Sequence, residues 1–172
     1  MGVNDLAVGT SCDVHRFKPG IPLMLGGVHV PFDRGMDGHS DGDVLLHAIM
    51  DAVLSAADLP DLGTLFPDTD PRNKGRSSVD MTREVARRVR VAGARVLSVD
   101  AVILAEEPKI APLRAQLRES IAAALDLEVR QVNVKGKTFE SMGPIGRREG
   151  IEARAVALVE RGYTSTASRT SP

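Results

Sequence analysis

The chain has 172 residues, with 22 Lys+Arg against 23 Asp+Glu and a formal net charge of −1. This size fits one domain, and the balanced charge excludes nucleic-acid recognition that depends on a basic surface. Hydrophobic residues at 42% and charged residues at 26% exclude global disorder, and no apolar run reaches the roughly 20 residues that span a bilayer. Residues 1–5 read as a flexible start. Leu6–Phe17 reads as a strand, with a turn at Pro19-Gly20. Leu23–Val30 reads as a second strand, bulged or folded into a tight hairpin at Gly26-Gly27. Asp33–Gly42 is rich in Gly, Asp, His and Ser and reads as a loop.

Asp43–Asp58 is the clearest helix. Leu45, Ala48, Ile49, Ala52, Val53 and Ala56 fall at helical spacing, and Leu46, Met50 and Leu54 add a second apolar row. The polar stripe is narrow: Asp43, His47 and Asp51, each four residues apart and so on one face. A helix apolar nearly all round is buried, and its stripe then needs partners. Asp61–Lys74 reads as loop, Ser78–Ala92 as an amphipathic helix ending at Gly93, and Val96–Ala105 as a strand. Pro112–Leu125 is a third helix, with Pro in the first turn where it is tolerated. Val129–Lys135 reads as a strand, Thr138–Arg148 as a Gly-punctuated loop, Ile151–Val159 as a final strand, and Thr164–Pro172 as a Ser/Thr-rich disordered tail. The order defines a mixed α/β or α+β layer fold. With no Trp, one Tyr and four Phe, the core must be built from Ala, Val, Leu and Ile, and burial between subunits would help such a chain. The single cysteine, Cys12, allows no intramolecular disulfide and fits a cytoplasmic protein.

Asp13 and His15 sit two apart on a predicted strand, which puts them on one face, with Cys12 on the other. Taken singly, a D-x-H or a helical His is usually packing or surface. Together with His39 or His47 they make a good zinc set, because imidazole and carboxylate suit a borderline cation and three protein ligands leave one position open. Geometry favours His47: a ligand on a buried polar stripe is pre-oriented, and Asp51 one turn later is expected to accept its other ring N–H. Loop-borne His39 is freer to touch substrate. Capping is the better account of at least one of Asp41 and Asp43. A second cluster holds Lys135, Lys137, Thr138, Glu140, Gly143, Gly146, Arg147 and Arg148. Cations, a hydroxyl and Gly-rich backbone suit a phosphate, and a carboxylate among them suits a bridging Mg²⁺. The bland alternative is a solvated basic loop.

The run Cys12-Asp13-Val14-His15, then Gly38-His39-Ser40-Asp41-Gly42-Asp43 with His47 and Asp51, then Asp61-Leu62-Gly63 and Phe66-Pro67-Asp68-Thr69-Asp70-Pro71, resembles the 2-C-methyl-D-erythritol 2,4-cyclodiphosphate synthase family. Ala105-Glu106-Glu107-Pro108-Lys109 and Gly143-Pro144-Ile145-Gly146-Arg147-Arg148-Glu149-Gly150 fit in order. The resemblance covers roughly residues 6–161. It implies a single α+β, two-layer domain over residues 1–163, with a mixed four-stranded sheet and helices packed on one face. It implies a cytoplasmic homotrimer with sheets facing the threefold axis and active sites between subunits. It implies Zn²⁺ on Asp13, His15 and His47, and Mg²⁺ or Mn²⁺ held by Glu140 between two phosphates. His39 and Thr138 would steady the transition state, and Asp13, His15, His39 and Ser40 would contact substrate. Asp61, Leu62 and Gly63, with Phe66, Pro67, Asp68, Thr69 and Asp70, would line the methylerythritol end. Ala105, Pro108, Lys109, Ile110 and Ala111, with Lys137, Thr138, Phe139 and Glu140, would hold the cytidine end, and Arg147 is a further substrate-side residue. Cys12 and Pro144 stand where the family often has the Phe residues of an axial cavity for isoprenoid diphosphates, which predicts weak binding there. Lys137 stands where Thr is frequent.

The implied reaction is attack of a 2-phosphate on the β-phosphorus of a cytidine diphosphate ester, releasing CMP and leaving a cyclic diphosphate. The nucleophile is already an anion, so the site must fold the substrate and offset phosphate repulsion rather than supply a strong base. Two rivals are a metal-dependent nucleotide-binding trimer without turnover and a diphosphate hydrolase giving a linear product.

Overall fold

The computed structural model describes residues 5–162. The alternation along the first strand sets the architecture. Strand β1 (Asp5–Pro19) turns Ala7, Gly9, Ser11, Asp13 and His15 to one face and the more exposed Leu6, Val8, Thr10, Cys12 and Val14 to the other. β2 (Leu23–Leu25) and β3 (Val28–Val30) form a separate hairpin that turns at Gly26-Gly27, both at positive φ. β4 (Arg34–Met36) then returns to pair with the end of β1.

Helix α1 (Val44–Ala56) begins at Asp43, whose side chain caps it through the Leu46 N–H at 3.0 Å. It packs on β1 and β7, with ten of its residues buried. The short α2 (Leu62–Leu65) and a 3₁₀ turn at Pro71–Asn73 interrupt the segment read as loop, and α3 (Ser78–Val91) follows. β5 (Ala94–Leu104) leads through a 3₁₀ turn into α4 (Arg114–Leu125), then β6 (Val132–Lys137), the single turn α5 (Gly143–Gly146) and β7 (Gly150–Arg161).

The sheet has five strands in the order β4-β1-β7-β5-β6, where the family resemblance implies four. The extra strand is β4: three residues carry no legible alternation, and only Phe17, Lys18 and Pro19 of β1 give them a ladder. β5 and β6 are parallel, joined by the α4 crossover, and the other pairs are antiparallel. The Leu23–Val30 segment lies outside this sheet as a hairpin, and the Val129–Lys135 strand starts at Val132 after a 3₁₀ turn. The expected tail, 164–172, lies outside the described residues.

Helices α1, α3 and α4 cover one face. The core beneath them is aliphatic, as composition requires: Ile151, Ala153, Ala155, Ala157 and Val159 of β7 and Ala94, Val96, Val99, Ala101 and Ile103 of β5 are all buried. Small residues on β1 let α1 lie close, and at Gly9 a Cβ would meet the Ala52 carbonyl oxygen and the Ala56 nitrogen. On the other face, no described element covers the sheet, and Val8 and Val14 are 69% and 62% exposed. Gly9→Val should force α1 off the strand and destabilise the fold by about 1–3 kcal/mol, as overpacking does; a chemical-denaturation midpoint equal to that of the unmodified protein would contradict this packing.

Candidate active site and metal centre

Asp13 and His15 reach the helix side of β1 by strand alternation, and the start of α1 sets His47 against them. His15 Nε2 lies 3.0 Å and His47 Nδ1 3.1 Å from Asp13 Oδ2. The two imidazoles stand 5.3 Å apart at 59°. The three ligand atoms lie within 4.8 Å of one another. Two rings aimed at a single carboxylate oxygen make a nitrogen–nitrogen–oxygen donor set that fits a divalent cation with a position left open.

Electrostatics reinforce the cluster. Burial disfavours ionisation of Asp13, but hydrogen bonds from His15 and His47 and the charge on those rings outweigh it and hold the carboxyl well below the usual range. Burial likewise disfavours a charged His47, yet the hydrogen bond and charge of Asp13, with Asp43 and Asp41 behind it, raise its pKa.

The cluster opens into a cleft of about 570 Å³. His39 and Ser40 lie along it, on a loop laid over His15; a Cβ at Gly38 would come within 3.0 Å of the His15 ring. His39 Nε2 is buried and has no hydrogen-bond partner, while its backbone carbonyl accepts the Gly75 N–H at 2.8 Å. Leu62, Gly63, Phe66 and Asp68 line the same cleft. Asp61 caps α2 through the Thr64 N–H, and Asp70, in a pair with Arg72, has its carboxyl pulled down to about 2. Neither Asp61 nor Asp70 lines the cleft, and nor do Pro67 and Thr69.

The sequence predicts that Asp51 accepts from His47; Asp51 lines the cleft, but it makes no hydrogen bond to that ring. Its Oδ1 takes the Leu62 N–H at 2.7 Å and so anchors α2 to α1. Burial, partly opposed by that N–H, raises its pKa. Sharing a stripe with His47 aligns the two residues along α1 without making them touch. The partners of His47 Nε2 are instead Ser40 Oγ at 3.0 Å and Ser78 Oγ at 3.1 Å, and the sequence offered no signal for Ser78. Asp41 and Asp43 both do structural work: Asp43 caps α1, and Asp41 accepts the first N–H of α3 from Ser78 at 2.9 Å.

The second expected group gathers elsewhere. The Ala105 N–H donates to the Lys137 carbonyl at 2.9 Å, and Glu106 Oε1 accepts the N–H groups of Phe139 and Ser141. Thr138 donates to Glu140 Oε1 at 2.6 Å, and Arg147 pairs with Glu149. Register sets Val14, Glu152, Leu104 and Lys137 in one row across four strands. Thr138 is thus three strand spacings, roughly 14 Å, from the Asp13–His15 strand. Pro108, Lys109, Ile110 and Ala111 follow β5 on that far side, and none of this group lines the cleft.

An open-sided cluster of two imidazoles and a carboxylate in a cleft of an α+β layer is a possible metal site, of the kind that metal-dependent enzymes use. The model of the YgbB family matches residues 6–160, and the chain belongs to that family. It is 54% identical over 157 residues to the 2-C-methyl-D-erythritol 2,4-cyclodiphosphate synthase of Burkholderia mallei (strain SAVP1), covering 91% of this chain and 97% of the relative. Among solved structures, the bifunctional IspDF from Campylobacter jejuni matches with a TM-score of 0.89 and 36% identity over 92% of this chain, which spans 43% of that longer chain. A 2C-methyl-D-erythritol-2,4-cyclodiphosphate synthase in a CDP-bound form matches at 0.81 and 38%, covering 89% of this chain and 99% of the other. The Plasmodium falciparum IspF in a CDP complex matches at 0.80 and 31%, covering 93% and 99%.

Protons compete with a cation for His47 Nδ1. Because the folded-state pKa of His47 lies above its ordinary value of 6.5, protonated His47 stabilises the metal-free fold below that value, and the contribution is lost as pH rises through the raised pKa. Metal affinity, followed downward in pH by chelator competition, should therefore start to fall above pH 6.5 rather than below it, and His47→Ala should abolish the binding. A flat affinity from pH 8 to pH 6 would contradict that reading.

Proposed function

We propose that this chain cyclises 4-diphosphocytidyl-2-C-methyl-D-erythritol 2-phosphate to 2-C-methyl-D-erythritol 2,4-cyclodiphosphate with release of CMP. The observation that carries the reading is the convergence of Asp13 Oδ2, His15 Nε2 and His47 Nδ1 in a cleft that His39 and Ser40 also line. It occurs in a chain 54% identical to a protein of that name. A 2-phosphate oxygen forms a bond to the β-phosphorus, the bond from that phosphorus to the oxygen bridging to the α-phosphate breaks, and CMP leaves with the electron pair.

The residues present fit Zn²⁺ on Asp13, His15 and His47, and Mg²⁺ or Mn²⁺ on Glu140. When bound, such cations polarise the β-phosphate and offset repulsion between phosphates. The chain's own groups fold and hold the substrate. Asp13 stays ionised, held so by its two imidazole neighbours, and keeps both rings aimed at one point. His39 and Ser40, which line the cleft, are the donors for phosphate oxygens in this reading. Leu62, Gly63, Phe66 and Asp68, with Asp61, Pro67, Thr69 and Asp70 on the same two turns, form the methylerythritol end. Ala105, Pro108, Lys109, Ile110, Ala111, Lys137 and Phe139 take the cytidine end. Thr138, hydrogen-bonded to Glu140, steadies the transition state with His39, and Arg147 lies on the substrate side.

The reaction calls for the two groups to meet around one substrate. Their separation across the sheet, and the open face carrying Val8, Val14 and Val156, support a homotrimer in which sheets face the threefold axis and a neighbour's second group completes each site. The same reading takes residues 1–163 as one domain. It puts the enzyme in the cytoplasm, in line with its free cysteine; no helix among the described residues is long and apolar enough to cross a membrane. Cys12 lies exposed on the open face, where it offers an isoprenoid tail less apolar surface than Phe would.

Phosphorus NMR of the product should give CMP and a cyclic diphosphate, with turnover lost on chelation and in His39→Ala, while His39→Ala retains its metal. A linear product would instead indicate the hydrolase. Light scattering should report a trimer at assay concentrations; an active monomer would remove the shared-site arrangement.

A further inference from the structure

The His47 imidazole has two edges, and the ligand cluster uses one. Nδ1 faces Asp13 Oδ2, while Nε2 lies 3.1 Å from Ser78 Oγ and 3.0 Å from Ser40 Oγ. A neutral imidazole that turns the Nδ1 lone pair to a cation carries its proton on Nε2, and that proton needs an acceptor. Ser78 is fully buried in the first turn of α3. Its hydroxyl proton is already committed, because Oγ donates to Asp41 Oδ1. The oxygen therefore meets His47 with a lone pair. Asp41 cannot swing away: its Oδ2 takes the Ser78 N–H at 2.9 Å, and its own N–H donates to the Arg76 carbonyl at 3.2 Å. Ser40 differs. It is only half-buried, on the cleft loop, and its other contact is a long one, 3.4 Å from the Gly42 nitrogen.

We propose that Ser78, backed by Asp41, is a positioning residue of the metal centre: its oxygen accepts the Nε2–H of His47, fixes that tautomer and aims Nδ1 at the cation. The inference rests on the reading of Asp13, His15 and His47 as metal ligands. A carboxylate–hydroxyl–imidazole chain holds the ring through a helix other than its own. The α1–α3 contact thereby becomes part of the metal site, and Ser78 needs no contact with substrate.

The test measures Zn²⁺ affinity by chelator competition for the unmodified protein and for Ser78→Ala, Ser40→Ala and His47→Ala, with thermal unfolding of each metal-free form alongside. Ser78→Ala should weaken Zn²⁺ binding about 10- to 100-fold, the usual loss when a partner behind a ligand is removed. Ser40→Ala should change it by less than about threefold, since Ser78 then still accepts the proton. In long-range proton–nitrogen correlation spectra of the Zn²⁺-loaded protein, His47 should carry its proton on Nε2 in slow exchange with water, and in Ser78→Ala that exchange should become fast. Wild-type affinity in Ser78→Ala overturns the proposal, as does transfer of the large effect to Ser40→Ala. A His47 proton found on Nδ1 overturns it in the unmodified protein alone, so the question is decided even if Ser78→Ala does not fold. Loss of Zn²⁺ in His47→Ala with none in Ser78→Ala defeats this inference and leaves the metal centre intact. Equal binding by His47→Ala and the unmodified protein defeats both.

Discussion

The fold is organised around a carboxylate that has no access to water. Asp43 is fully buried, and its two oxygens take three backbone N–H groups: Oδ1 those of Gly26 and Leu46, Oδ2 that of Gly27. A buried carboxylate is tolerable only when so satisfied, and removing it would strand three donors at about 1–3 kcal/mol each. One side chain thus caps α1 and ties it to the β2–β3 hairpin, fixing how far the helix is rotated about its axis. His47 stands one turn further along the same stripe, so the rotation that satisfies Asp43 is also the rotation that presents an imidazole to β1. The loop between β4 and α1, which carries His39, Ser40 and Asp41, is held at its start by the Asp37 N–H on the Arg16 carbonyl, at its end by Asp43, and in its middle by residues 75–78.

Much of this was legible in the sequence because it depends on local periodicity. The alternation of Asp13 and His15, the all-round apolarity of residues 44–56 and the preference for His47 over His39 beside Asp13 all follow from repeats of 2 and 3.6. What escaped depends on partners remote in the chain. Strand β4 exists because the end of β1 offers the edge away from β7 to three residues that have no pattern of their own. Asp51 looked like the residue behind His47 because i and i+4 share a face. The shared face holds, but the side chain turns to the unmet N–H of Leu62 at the start of the next helix. Ser78, 31 residues beyond His47, is an ordinary helix-start serine in the sequence, and only the packing of α3 against α1 gives it a neighbour.

The far group shows a similar economy of means. Glu140 and Ser141 both sit at positive φ, a conformation that non-glycine residues adopt at a cost. Glu106 accepts the N–H groups on either side of Glu140, from Phe139 and Ser141, and holds that backbone in place from the loop after β5. The Glu140 side chain, exposed at the surface, accepts the Thr138 hydroxyl. Both halves of the proposed site therefore rest on the same device: a carboxylate with no direct chemistry holds a loop so that another side chain is free to act.

The position of β7 bears on how such a protein is made. It is the middle strand of the sheet and the last element described, with β1 on one side and β5 on the other. As the chain leaves the ribosome, β1 emerges first and has no neighbour to receive most of its hydrogen bonds until β7 follows it out, 144 residues later by the pairing of Ser11 with Ala155. Asp13 and His15 ride on that strand. The two side chains of the candidate metal centre that lie on β1 therefore take their final places in the sheet only once residues 150–161 have been made.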